Sequence, residues 1–431
     1  MIVIGGLLLL AALVGTPLFV ILGGAAWLLF WLAEIDTAAV VIELYRLAQT
    51  PTLLSIPLFT FSGYVLAAGQ APQRLVRCAQ ALVGWLPGGL ALVTLLACAF
   101  FTAFTGASGV TIVALGGLLL PLLLQERYPE PFSLGLLTTC GSLGLLFPPS
   151  LPVILYGLVA QVPIELIFLA GLLPGGLLIV LLSLFSVHRA RRAEVPVHTY
   201  SWREMVRAVW AAKWELSIPV WVLGGIYGGL VTVSEAALLT AVYTLLVASF
   251  VHREVHLWRD LPDLITQSMT LIGAIFIVLG TALGLTSYLI DAQVPQQLLR
   301  IMEQYIQHRV VFLLVLNAFL LLVGCLMDVF SAIIVVVPLI APLAAQYDVH
   351  PLHLSIIFLT NLEIGYSTPP VGLNLFLSSL RFERPITQLY RASWPFLLVL
   401  VVALLLITYI PDLSLALLKW FGYAELLTLQ R

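Results

Sequence analysis

Apolar residues of this chain come in long runs, at about 2–33, 52–69, 79–104, 110–124, 132–160 and 164–187. A second series follows at about 216–232, 235–251, 264–290, 310–346, 352–380 and 393–422. A helix needs about 20 apolar residues to cross the hydrocarbon core of a bilayer. Lipid offers no water to unpaired backbone groups, so the runs predict helices; the short alternating strands of a membrane barrel are missing. The pattern divides near residue 200 into a first membrane half (1–187), a polar linker (188–215) and a second half (216–431). The linker, His188–Glu215, holds six of the nineteen basic residues (Arg189, Arg191, Arg192, Arg203, Arg207 and Lys213), which places it on the cytoplasmic side. Its Trp residues fit an amphipathic helix on the headgroups; a solvated linker fits the same composition.

The two halves share a motif. The first carries GASGVTIVALGGLLLP (Gly106–Pro121) and then CGSLGLLFPPSLPVIL (Cys140–Leu155). The second carries MDVFSAIIVVVPLIAP (Met327–Pro342) and then NLEIGYSTPPVGLNLF (Asn361–Phe376). A shift of 221 residues superposes Pro121 on Pro342, Gly144 on Gly365, Pro148 on Pro369 and Pro149 on Pro370. Paired prolines remove two backbone donors and push the preceding residue out of the α region, so each Gly-x-x-x-Pro-Pro unit breaks its helix at membrane depth. Freed carbonyls there suit cations, and half-helix N-termini suit anions. The preceding segments read as re-entrant helical hairpins, at about 94–125 and 310–346, facing discontinuous helices at about 132–160 and 352–380. Weak internal symmetry of this kind marks repeat-built transporters, whose repeats are often inverted.

Composition narrows the chemistry. Of 431 residues 61% are hydrophobic and 9% charged, with a mean hydropathy of +1.10; a soluble domain carries about 25% charged residues. The net charge of −2 gives no support to a nucleic-acid partner. No basic residue precedes Arg46, which predicts a retained first span and not a cleaved signal peptide. Cys78, Cys98, Cys140 and Cys325 lie scattered in apolar segments as small core residues. His188, His252, His308 and His350 sit at loop edges, which gives no metal pattern, and no phosphate-binding loop, nucleophile elbow or zinc-protease motif occurs. Asp328 stands out as a carboxylate in an apolar run, a functional candidate by default. Glu363 adjoins the second break. Glu235 follows Thr232 by three residues, as in a helix N-cap.

These motifs together resemble the large membrane subunit of tripartite ATP-independent periplasmic (TRAP) transporters over nearly the whole chain. SIPLFTFSGYVLAAG (Ser55–Gly69), GIYGGLVTVSEAA (Gly225–Ala237), GCLMDVFSAIIVVVPLIAP (Gly324–Pro342) and the two Pro-Pro motifs carry the resemblance. It implies an all-α polytopic elevator-type protein of the inner membrane, not an enzyme. It implies sodium-coupled uptake of a small organic anion, with a small four-helix membrane subunit and a periplasmic binding protein as partners. It places sodium at Ser108, Gly141, Gly144 and Phe147 and at Asp328, Gly365 and Thr368. It places substrate among Thr105, Ser142, Pro149, Ser150, Ser331, Asn361 and Pro370. Two departures stand out: the first tip is Thr-Gly-Ala-Ser-Gly where the family has a serine-rich cluster, and Val233 replaces a proline. No small-subunit sequence is fused, so that partner is expected as a separate chain. The rival readings are an ion-coupled dicarboxylate carrier that needs no binding protein, and a non-transporting subunit of a membrane enzyme complex.

Overall fold

The computed structural model describes residues 15–423, apart from 197–198, 295–296, 298–299, 301 and 303–304. The start of the expected first span therefore lies outside the described residues. The described elements are helices, and eight of them are long and apolar enough to cross a membrane.

Four helices open the described residues: α1 (Leu18–Leu32), α2 (Ala38–Ala48), α3 (Ser55–Ala68) and α4 (Ala71–Val83). The apolar run at 79–104 is not one helix. It divides between α4 and α5 (Gly89–Thr105), because Pro87 lies in the connection and Gly88 has a φ of 76°, the left-handed region that glycine tolerates. After the tip at Gly106 (φ 64°), α6 (Ser108–Gln125) returns. It is followed by α7 (Glu130–Cys140) and α8 (Leu151–Ala160), which meet at a 47° bend across the first Pro-Pro break. The long α9 (Ile164–Arg192) ends this half. The linker is largely helical: α10 (Trp202–Ala211) follows α9, and α11 (Lys213–Tyr227) already begins inside it. Next come α12 (Val233–Val251) and α13 (Leu261–Asp291). The Thr232 side chain and Glu235 cap α12 reciprocally, as their spacing predicts.

The second series is α14 (Arg309–Leu326), α15 (Val329–Gln346), α16 (Pro351–Gly365), α17 (Leu373–Phe382), α18 (Ile386–Tyr409) and α19 (Asp412–Trp420). Shifted by 221 residues, α5 falls on α14, α6 on α15, α7 on α16 and α8 on α17, to within a residue at most ends. Their packing is reciprocal. The half-helix α8 packs on α15 of the other half, and α17 packs on α6. Likewise α9 packs on α16, and α18 on α7. The centre is the driest part: every residue of α16 from Leu352 to Gly365 and of α7 from Phe132 to Cys140 is buried. Around this centre α3 packs with α12 and α13, and α13 also holds α1 and α2.

Candidate transport site

Each hairpin tip is shaped by backbone demands. At the first, the left-handed Gly106 ends α5, and a side chain there would strike Leu151 Cβ at 2.4 Å. At the second, Asp328 caps α15: its Oδ1 accepts the amides of Phe330 and Ser331, both at 3.0 Å, and its Oδ2 accepts the Ser331 hydroxyl at 2.5 Å. The carboxylate is thus held in one orientation at a helix N-terminus, where negative charge is favoured.

The breaks seat against the hairpins through glycine. A Cβ on Gly365 would lie 2.6 Å from Gly324 C and Cα, and one on Gly144 would lie 2.3 Å from Ala99 O. Backbone therefore approaches backbone in both units, Gly365 on α14 and Gly144 on α5. The Pro148–Pro149 and Pro369–Pro370 peptide bonds are both cis. Past the second break the Gly372 amide donates to Cys325 O at 3.0 Å, and the Asn374 amide to Tyr366 O at 3.0 Å. The Tyr366 hydroxyl accepts the Val329 amide, which ties the break to the hairpin tip.

Tips and breaks converge on one cavity of about 660 Å³. Gly106–Val110 of the first tip, Asp328–Phe330 of the second, and Leu145 and Tyr366 of the breaks line it, together with α3 and α13. Leu145 and Tyr366 are equivalent under the 221-residue shift. The tips differ at equivalent positions, Ala107 in one and Asp328 in the other, and Asp328 is the charged side chain among the lining residues.

Of the residues singled out in the sequence, Ser108 and Asp328 line this cavity. Thr105 ends α5, fully buried, with its hydroxyl 3.5 Å from Ala107 O. Gly141 O accepts the Thr102 hydroxyl at 2.9 Å, and that hydroxyl also meets Thr111 Oγ1 at 2.7 Å. The Phe147 ring packs on Gly175. Ser142 donates to Glu363 O at 3.2 Å and lies 3.3 Å from Asn374 Nδ2, a link between the two breaks. Pro149 and Ser150 are buried, and the Ser150 hydroxyl lacks a hydrogen-bond partner. Ser331 is engaged with Asp328. The Thr368 hydroxyl donates to Ile364 O at 2.9 Å, and Pro370 O accepts the Tyr390 hydroxyl. Asn361 points elsewhere: its amide donates to Asn317 Oδ1 at 2.7 Å and to Ile357 O at 2.8 Å, so it joins α16 to α14. Glu363 is buried, and neither carboxylate oxygen has a hydrogen-bond partner.

Tyr366, Gly324 and the Thr102–Thr111 pair were not singled out in the sequence. The position of Tyr366 next to Gly365 was an available signal; the other contacts arise only when α14 meets α16 and α5 meets α6. No group of three or more His, Cys, Asp or Glu able to hold a metal occurs among the described residues. His353 is fully buried and engages Ser414 Oγ and Thr408 O, both at 3.1 Å, which is a packing role.

Comparison with known proteins agrees with this architecture. Residues 4–413 match the family described as tripartite ATP-independent periplasmic transporter, DctM component. The C4-dicarboxylate TRAP transporter large permease protein DctM of Pseudomonas aeruginosa is 36% identical over 402 residues, 93% of this chain and 94% of that protein. The ectoine/5-hydroxyectoine large permease UehC of Ruegeria pomeroyi is 32% identical over 94% of this chain and 95% of its own. The isethionate permease protein DctMQ of Oleidesulfovibrio alaskensis is 34% identical over 83% of this chain, but over only 57% of its own length. Among solved structures, the YdaH transporter of Alcanivorax borkumensis shares the fold, with a TM-score of 0.63 at 16% identity over 90% of this chain and 88% of that one. A multi-pass helical chain with this match along nearly its whole length is a member of the TRAP transporter large permease family.

Proposed function

We propose that this chain is the translocating subunit of a sodium-coupled symporter that carries a small organic anion across the bacterial inner membrane. The observation that carries the reading is the cavity between the hairpin tips, with its single carboxylate on Asp328. An organic anion entering beside a fixed carboxylate is repelled in a cavity lined mainly by apolar groups, unless cations enter with it. Co-bound sodium removes that repulsion. In this proposal its oxygen donors are backbone oxygens at the breaks, among them Gly141, Gly144 and Gly365, and the Ser108 and Thr368 hydroxyls. Half-helix N-termini at the Pro-Pro breaks then face the anion. The hairpins and broken helices move as one body against α1–α3 and α11–α13 in an elevator motion. Relatives named for C4-dicarboxylates, ectoine and isethionate support a small charged organic solute as the substrate, and a carboxylate is its group in this proposal. A periplasmic binding protein delivers it, and a small four-helix membrane subunit completes the complex; the relative named DctMQ fits such a pairing.

The test is the melting temperature of the purified chain in sodium chloride against choline chloride at equal ionic strength. A ligand that binds only the folded state adds about 2.7 kcal/mol at a hundredfold excess over Kd. A saturable, sodium-specific rise is expected, and it is lost in Asp328→Ala. Equal melting in both salts would count against built-in sodium sites and favour a proton-coupled carrier.

A further inference from the structure

A second, smaller cleft lies away from the transport cavity, between α4 and α10. It has a volume of about 400 Å³, and its walls include Arg77, Gln80, Trp85, Thr199 and Glu204. Its setting identifies its surroundings. On α10 the residues Trp202, Val206 and Trp210 recur every four positions and are 65%, 49% and 69% exposed, an apolar stripe turned away from the protein. The Lys213 ammonium stands 3.8 Å above the Trp210 ring. Trp85 meets Tyr200 edge to face, with ring centres 5.7 Å apart, at the rim of the cleft. Arg189, Arg191 and Arg192 close α9, the helix that precedes α10 in the chain. Amphipathic aromatic rings and a basic cluster of this kind seat at the cytoplasmic headgroup level. Such a setting suits a cleft that opens among lipid headgroups.

Its chemistry is two-sided. Arg77 comes from α4 and Glu204 from the first turn of α10, and neither makes an ion pair with the protein among the described residues. Opposite charges that share one cleft without pairing are complementary to a zwitterion. We propose that this cleft binds the phosphoethanolamine headgroup of a lipid in the cytoplasmic leaflet. The guanidinium of Arg77, with the Gln80 amide and the Thr199 hydroxyl, takes the phosphate; the Glu204 carboxylate takes the ammonium, whose N–H groups can donate to it. A choline headgroup has no N–H to donate, and a glycerol headgroup has no cation for Glu204.

Lipid titration of the purified full chain, read by native mass spectrometry, tests this. Phosphatidylethanolamine is expected to bind about tenfold tighter than phosphatidylcholine or phosphatidylglycerol, the worth of one charge-assisted hydrogen bond. Arg77→Ala and Glu204→Gln are each expected to abolish that preference and leave the melting temperature unchanged, since both side chains are exposed. Equal binding of the three lipids, or an undiminished preference in both variants, would overturn the proposal. So would soluble glycerophosphoethanolamine binding as tightly as the lipid, because the membrane would then play no part.

Discussion

Asp328 does two things at one position, and they can be separated. It caps α15 through two amides and a hydroxyl, and it supplies the charge of the cavity. Asparagine caps as well as aspartate does, whereas alanine loses about 1 kcal/mol. Asp328→Asn is therefore expected to melt close to the parent and lose the sodium-specific rise, while Asp328→Ala melts lower and loses the rise as well. Thr368→Val keeps the volume of the side chain and removes its hydroxyl. It is expected to shift the sodium titration to higher concentration, and an unchanged midpoint would remove Thr368 from the ion site. Gly365 tests packing. A methyl group there meets Gly324 backbone at 2.6 Å, which no side-chain rotation relieves, so Gly365→Ala is expected to lower stability by about 1–3 kcal/mol in a thermal melt.

At the scale of elements, what could be read in advance was what local backbone chemistry decides. Pro148–Pro149 and Pro369–Pro370 stop a helix whatever surrounds them, and the structure breaks at both. Thr232 and Glu235 announce an N-cap by their spacing alone. Thr232→Ala removes the side chain that accepts the Glu235 amide and is expected to cost about 1 kcal/mol in a melt. Where hydropathy was the only guide, boundaries failed. The run at 79–104 looked continuous, yet the connection at Gly84–Gly88 divides it, since hydropathy does not register a left-handed glycine. The site shows the same split. Asp328, a carboxylate in an apolar run, and Ser108, which the family resemblance names, both line the cavity. Tyr366 and Gly324 act through contacts between elements more than 30 residues apart, which no local pattern encodes. Asn361 is expected near the substrate from the family resemblance alone, but its amide donates to Asn317 Oδ1 on a neighbouring helix, a partner that spacing does not reveal.

At the scale of the whole molecule, one ion network joins parts of the peripheral helices that are distant in sequence. Arg74 of α4 reaches Glu215 of α11 at 2.6 Å and Glu254, in the connection after α12, at 2.5 Å. Glu254 also accepts the Gln70 amide at 2.9 Å. Burial works to raise the Glu254 carboxyl, but the Arg74 and Gln70 hydrogen bonds outweigh it and hold the group below the usual carboxylate range. The sign follows from linkage. A folded-state value below the unfolded one gives stability that is complete above the unfolded value, about 4.3, and lost as pH falls through the lower folded value. Acid melts are therefore expected to show a decline across that window, and Glu254→Gln is expected to flatten it.

The reciprocal packing of the two repeats has a consequence for how the chain could be divided. Ser142 donates to the backbone oxygen of Glu363, its own counterpart under the 221-residue shift, so the two breaks meet at equivalent positions. The half-helix of each repeat lies on the hairpin of the other, which is the arrangement of a domain-swapped dimer joined into one polypeptide. In each half the returning arm of the hairpin is packed by the half-helix of the other half and not by its own. Two genes, parted at the linker between α9 and α10, should then encode fragments that are each unstable alone and complement one another when produced together.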